Sequence, residues 1–586
     1  VSKKSYAALF FLFVFGGFFC SAEKNAFVSR EIDLAEESPS QVSVLGGNVL
    51  CQPVRTSYGY VAAGDSRQIY GFSPDGKLLW QRSFIGRLKK FISAAWSDMV
   101  LAVTEDSRLG LMNSSGLVLW SAECGFSVEE PPLCGADGRI FVRGKNDLAC
   151  YGIKGVRRWR ISTEDQDVSL PAAIFNDSSI LIFLSRTENG KSVAKRFDIF
   201  GEEKEEIVFS GKVSALSECT QGILLAFTDG SLGLCASSAG GAYSKWTSNS
   251  ELTGISAITG LSADPSSSQA AVITKSRIHY FDTSDGREKS SFPVKSEFSS
   301  VTQFFHTSQG LVLSDGKRAG CFQKDGSVSW SIKFNPQKKW NFFYATDSGD
   351  AVFCLSNWAL EIYQTRMNLS SAKKSFREKE MTYYGYAKPE KRSSAFSGRA
   401  IYEDLEYEMK EKFASGDFGG NEENYMTILC GELNEFFSDQ MTGGTRTGFS
   451  EKSYFRTDPE YCLRLLELEG CAGIVLNKNQ LASLIKRTDD RSLLVPLVHT
   501  AGEVAFDPEG TLLGALETVV KKSGKNDKKL LQEIADATYS ICRFMGRPLF
   551  FRRGHEILNY MLYPQFDRET KDYALKTLDK VIEAEF

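Results

Sequence analysis

Four histidines in 586 residues leave little material for imidazole catalysis or for histidine-rich metal sites. Basic residues have no excess either: 69 Lys and Arg stand against 73 Asp and Glu, a formal net charge of −4. That balance supplies no positive field for nucleic acid and no acidic solvating tail. Proline is scarce at 15, and 42% of the residues are hydrophobic, so the chain is neither collagen-like nor disordered. Beyond the N-terminal region no apolar run approaches the roughly 20 residues of a spanning helix. No two cysteines are adjacent. What the chain has in quantity is glycine, 50 residues, and phenylalanine, 42, a combination that suits many short strands separated by tight turns.

The first residues read as an address. Lys3 and Lys4 precede an apolar run from Ala7 to Phe19, and Cys20-Ser21-Ala22 leads into polar sequence. This is the pattern of a secretory signal over residues 1–22, with cleavage expected after Ala22. Lipidation of Cys20 is the alternative, although Phe18 and Phe19 stand where a lipoprotein signal needs a small residue. Either route predicts an exported chain, periplasmic or envelope-associated, and the Cys20 route predicts an outer-membrane lipoprotein.

A repeat of about forty residues dominates the next 340. Gly76 and Trp80, Gly116 and Trp120, Gly155 and Trp159, and Gly326 and Trp330 share one spacing, with tryptophans 80, 120 and 159 falling 40 and 39 residues apart. Weaker copies turn at Gly201, at Gly240 with Trp246, and at Gly286. An incomplete copy is visible in Ala351–Ser356 and Ala359–Gln364. Within each copy, apolar runs of four to six residues alternate with polar turns, as antiparallel strands require. A unit of this size with four strands is a propeller blade, and radial repetition protects sheet edges. The glycine permits positive φ in the turn, and the tryptophan is placed to cover the neighbouring blade.

The segments Gly71–Trp80 and Tyr280–Gly286 resemble pyrroloquinoline-quinone (PQQ)-like repeats, whose motif runs Ala-Leu-Asp, a short turn, Thr-Gly and then Trp. The resemblance covers about residues 45–365. In this chain the motif Asp persists mainly at Asp198 and Asp282, and Thr before Gly is missing. The resemblance implies a seven- or eight-bladed antiparallel β-propeller, eight being favoured, with residues 26–50 closing the ring over a domain spanning 23–366. Quinoprotein dehydrogenases share the repeat, and membership among them would imply a quinone, a Ca²⁺ held by Asp, Glu and Asn, and often an adjacent cysteine pair. That pair is absent from the sequence, as is any acidic run with calcium-loop spacing. No cofactor or metal is therefore expected.

Thirteen cysteines raise the question of disulfides. Cys150, Cys235 and Cys321 each lie five residues before a turn glycine, which reads as a buried repeat position for a small hydrophobe. Cys124 and Cys134 flank a proline-containing loop and are the pair best placed for a bridge.

Strand periodicity stops in a basic linker, residues 367–398, carrying Lys373, Lys374, Arg377, Lys379, Lys388, Lys391 and Arg392. A solvated linker is the favoured reading, and contact with anionic lipid at a membrane surface or with an acidic partner is the alternative. Residues 399–586 turn helical. Asp507-Pro508-Glu509 reads as a helix start, with Leu512, Leu513, Leu516, Val519 and Val520 on one face. Starts near Asp489, Asp507 and Asp527 recur every 18 to 20 residues and give helix pairs of about forty, a spacing that resembles HEAT-type repeats, with an ordinary irregular helical domain as the alternative. The helix from Asp527 ends by Gly546 and Pro548, and a last one starts at Asp567.

Both halves predict broad, repeat-built binding surfaces. The propeller is similar to the periplasmic propeller proteins of outer-membrane protein assembly, which implies an exported, non-enzymatic adaptor for envelope proteins or extended peptides. A quinone-dependent oxidoreductase and a sugar- or peptidoglycan-binding propeller are the competing classes.

Overall fold

The structure, a computed structural model, describes residues 30–364, 398–442 and 459–585, apart from 57–58, 66, 136, 239–240, 249–259, 264–267, 275–276, 295–300, 302, 308–309, 339–341, 346–350, 356–358, 474–477 and 525. The signal segment with Cys20, most of the basic linker, and Gly240 lie outside the described residues, and so does the side chain of Trp246.

Alternating apolar runs fold into antiparallel sheets. Seven consist of four consecutive strands each: Val54–Ser83, Leu88–Glu123, Leu133–Ser162, Ala173–Val208, Val213–Ser248, Gly260–Pro293 and Gln303–Lys333, blades 1 to 7 in chain order. An eighth sheet takes three strands from Phe342–Gln364 and its fourth from the N-terminal side. Two strands precede blade 1. Strand β1 (Arg30–Asp33) lies parallel to the last strand of blade 7, and β2 (Gln41–Val44) pairs antiparallel with Ala359–Gln364, Gln41 opposite Ile362. The segment expected to close the ring therefore does so, joining the first part of the propeller to its last and leaving no blade incomplete.

First strands of neighbouring blades touch around the centre, so the last strand of each blade is outermost. The glycine and tryptophan repeat joins one blade to the next. Trp80, Trp120 and Trp159 donate their indole N–H to the carbonyls of Ser114, Ile153 and Ile199 at 3.1, 2.7 and 2.9 Å. Each acceptor lies two residues before the next blade's turn glycine. A Cβ on Gly116, Gly155 or Gly201 would stand 2.6, 2.5 or 2.8 Å from a ring atom of Trp80, Trp120 or Trp159. These glycines also hold φ of +81°, +80° and +84°. They are thus required twice, for the turn and for the ring lying on it. Phe292 covers Gly326 in the same way, its Cγ 2.8 Å from the position of a Cβ.

The repeat-equivalent cysteines pack as expected. Cys150 and Cys321 stand opposite Trp159 and Trp330 in their sheets, and both are fully buried. Burial pushes the Cys150 and Cys235 thiols up to about 12. The bridge expected between Cys124 and Cys134 is not formed, and both are buried as thiols. Cys124 follows the outermost strand of blade 2, whereas Cys134 belongs to the innermost strand of blade 3, so the loop between them runs from rim to centre.

The described C-terminal residues contain nine helices: α1 (Gly398–Ser415), α2 (Glu422–Thr442), α3 (Pro459–Ala472), α4 (Lys478–Arg487), α5 (Arg491–Val504), α6 (Thr511–Lys522), α7 (Lys528–Met545), α8 (Pro548–Tyr560) and α9 (Arg568–Glu585). From α3 onward each helix packs on the one two places further along, α3 on α5, α5 on α7 and α7 on α9, with α4, α6 and α8 forming a second layer. Side-chain bonds between stacked helices span 34 to 37 residues, as in Thr500 Oγ1 to the Leu466 carbonyl, Arg491 to Asp527 and Tyr573 to Asp536. The unit is therefore shorter than the forty residues that the spacing of starts suggests.

Two helix boundaries differ from expectation. Asp507 is completely buried and caps α6 from outside, accepting from the backbone N–H of Thr511 at 2.7 Å and of Leu513 at 2.9 Å, while Pro508 sits in the turn before it. Gly546 ends α7 in the left-handed conformation, and Pro548, which reads as part of that stop, is the first residue of α8. The same Gly-x-Pro both stops one helix and starts the next.

Candidate functional site

Because strands alternate direction within a blade, the turn after the first strand and the turn after the third lie at the same end of the propeller. In blades 2 and 3 all four such turns meet the helical domain. One apolar core runs through the junction, including Trp96, Met99, Leu111, Tyr151 and Ile153 from the blades and Phe413, Leu466 and Met545 from the helices.

Helix C-termini leave carbonyls without intrahelical partners, and they attract cations and donors. The propeller turns supply both. Asn113 Nδ2 donates to the Arg543 carbonyl at 2.6 Å and Ser114 Oγ to the Met545 carbonyl at 3.0 Å, capping α7. Lys154 Nζ donates to the Gly470 carbonyl at 2.6 Å and Arg158 Nη2 to the Ala472 carbonyl at 2.8 Å, capping α3. The Arg158 guanidinium also lies over the rings of Phe413 and Phe418, at 5.6 and 5.5 Å. Glycines that follow α7 and α1 make room for the approach: a Cβ on Gly546 would stand 2.4 Å from Asn113 Cγ, and one on Gly416 would stand 1.9 Å from the Arg157 carbonyl oxygen. Equivalent turns of successive blades thus receive the ends of helices from one layer of the array.

Two buried ion pairs reinforce the junction. Arg547 Nη2 meets Asp98 Oδ2 at 3.0 Å, with side-chain exposures of 8% and 1%. Asp98 follows Ser97, and both hold positive φ, +64° and +51°. Arg139 bridges Asp137 at 2.9 Å and Glu422 at 3.0 Å. Charges this deeply buried are tolerated only when paired.

Beside this junction the α1–α2 turn, residues 415–421, stands off from the third-strand turns of blades 3 and 4. Between them lies a cleft of about 830 Å³. Arg157, Arg160 and Glu202 line the propeller wall, with Trp159 and Phe200 at its aromatic part, and Asp417, Glu422 and Glu423 line the helical wall. Of the repeat positions singled out in the sequence, Gly155, Trp159 and Gly201 border this cleft, while Trp80 and Gly116 join blades 1 and 2 away from it. Asp98, Asn113, Lys154, Arg158, Glu422 and Arg547 carry no sequence signal, since their partners lie hundreds of residues away.

Among the described residues no three His, Cys, Asp or Glu side chains converge as a metal ion would require. No described helix is long and apolar enough to cross a membrane.

The architecture is that of a β-propeller with PQQ-like repeats that carries a C-terminal helical region. A family model described as outer membrane protein assembly factor BamB matches residues 65–217. Among solved structures, BamB from Moraxella catarrhalis is similar at 12% identity and a TM-score of 0.41, covering 56% of this chain and 99% of its own. Sqt1 from Saccharomyces cerevisiae is similar at 12% identity and a TM-score of 0.42, with the same coverage. The WD40 domain of Neurospora crassa Pan2 is similar at 13% identity and a TM-score of 0.35, covering 47% of this chain and 89% of its own. Comparison with curated proteins finds no match.

Proposed function

We propose that this protein is an exported, non-enzymatic adaptor of the cell envelope, acting in the assembly of outer-membrane proteins. The observation that carries the reading is the union of two repeat-built surfaces in one body: the helical array is capped onto blades 2 and 3 through helix C-termini. Such surfaces suit proteins and extended peptides. The match of residues 65–217 to the outer-membrane assembly family supports the envelope role, and the secretory pattern of residues 1–22 supports export.

Crosslinking of the full chain in intact cells, followed by identification of the captured proteins, tests the proposal. Envelope proteins linked to the propeller or the helical array are the expected result. Recovery of no protein partner, together with saturable binding of PQQ and Ca²⁺, would replace the adaptor with an oxidoreductase.

A further inference from the structure

We infer that the cleft between blades 3 and 4 and the α1–α2 turn receives a cationic side chain, guanidinium or ammonium, from an extended partner polypeptide. The inference rests on the adaptor reading and names the chemistry of one of its contacts.

Glu422 carries the argument. Its side chain is only 6% exposed, and Oε1 is held by Arg139 at 3.0 Å. The other oxygen, Oε2, is buried and has no hydrogen-bond partner. A buried carboxylate oxygen without a donor is costly, and native structures rarely leave one so. What this position lacks is a donor, and a cationic donor forms the strongest bond to it.

The surroundings select the same chemistry. Asp417 and Glu423, exposed on the helical wall, make no ion pair among the described residues. The aromatic lining already holds two guanidinium groups of the protein itself, Arg139 over Phe200 at 5.2 Å and Arg158 over Phe418 at 5.5 Å. Both rings therefore show the geometry that attracts a cation to an aromatic face. A metal ion is disfavoured because no three carboxylates among the described residues converge. The volume of about 830 Å³ exceeds one side chain and leaves room for backbone on either side. Arg157, exposed on the facing wall and likewise without an ion pair among the described residues, offers a partner for a carbonyl or carboxylate of the same segment.

The test uses the full-length protein and two capped, fluorescein-labelled peptides, Ser-Val-Arg-Val-Ser and Ser-Val-Gln-Val-Ser, followed by fluorescence anisotropy. Saturable binding of the first is expected, with affinity about tenfold lower for the second. An Asp417→Asn, Glu423→Gln double variant leaves the Arg139–Glu422 pair intact and is expected to bind the arginine peptide about tenfold more weakly, with an unchanged melting temperature. Absent binding, equal affinity for the two peptides, or unchanged affinity in the double variant overturns the inference. Those results leave the adaptor reading standing if crosslinking still captures a protein partner. Capture of none by the wild-type chain removes both.

Discussion

The indole N–H of Trp120 donates to the carbonyl of Ile153 at 2.7 Å, so a residue that ends blade 2 is fixed by the turn of blade 3. The ring then rests on Gly155, where a Cβ would come within 2.5 Å. Trp120→Ala is expected to destabilise the chain by about 1–3 kcal/mol, below the usual value for a fully buried tryptophan because this one is only half-buried. Gly155→Ala should cost at least as much, since φ of +80° and the ring both oppose it. Guanidinium denaturation measures both. A Gly155→Ala variant as stable as wild type would show that the ring lifts freely from the turn.

Arg547 and Asp98 join the helical domain to a turn of blade 2 that holds two consecutive residues at positive φ. Arg547→Met removes the guanidinium from this buried ion pair, and a loss of about 3–5 kcal/mol is expected. Removing both charges, with Asp98→Asn added, should restore part of that loss. Thermal melting of the three variants reads the difference. Equal stability of the single and double variants would mean that the charge of Asp98 is satisfied elsewhere.

Glu469 in α3 is a buried carboxylate whose proton is held by desolvation, which raises it from the usual carboxylate range to about 8. The folded state therefore keeps a proton that the unfolded chain releases above about pH 4.5. Stability from this group is greatest in acid and falls as pH rises toward 8, by about 1.4 kcal/mol per pH unit at most. Glu469→Gln should flatten that part of the profile and be the more stable protein at pH 8. Urea denaturation of both proteins between pH 5 and 9 gives the slopes, and parallel profiles would contradict the assignment.

Cys124 and Cys134 are not joined by a disulfide, and burial raises the Cys124 thiol above its usual range. Neither is expected to react with iodoacetamide in the folded protein at pH 8, and both should react once it is unfolded without reductant. Mass spectrometry of the alkylated chain decides. A pair that reacts only after reduction would establish the bridge.

The propeller was legible in the sequence because a blade is a local object. Its four strands follow one another within about forty residues, and pairs such as Gly116 and Trp120 mark the turn in several copies with residues whose backbone freedom and bulk have few substitutes. The disulfide between Cys124 and Cys134 was misjudged because closeness along the chain does not reveal that one end lies at the rim and the other near the centre. In the helical half, Asp507 and Pro548 were recognised as boundary residues, but Asp507 caps α6 across an intervening turn and Pro548 opens α8.

The junction and its cleft belong to tertiary structure alone. Asn113 meets the end of α7 across 430 residues, and Arg139 meets Glu422 across nearly 300. Neither side chain differs in sequence from an ordinary turn or surface residue. Local periodicity by itself determined that there would be a radial β-repeat followed by helices. Only the packed chain decided which blade turns would meet which helix ends, because orphan carbonyls and buried charges select their partners after the elements exist.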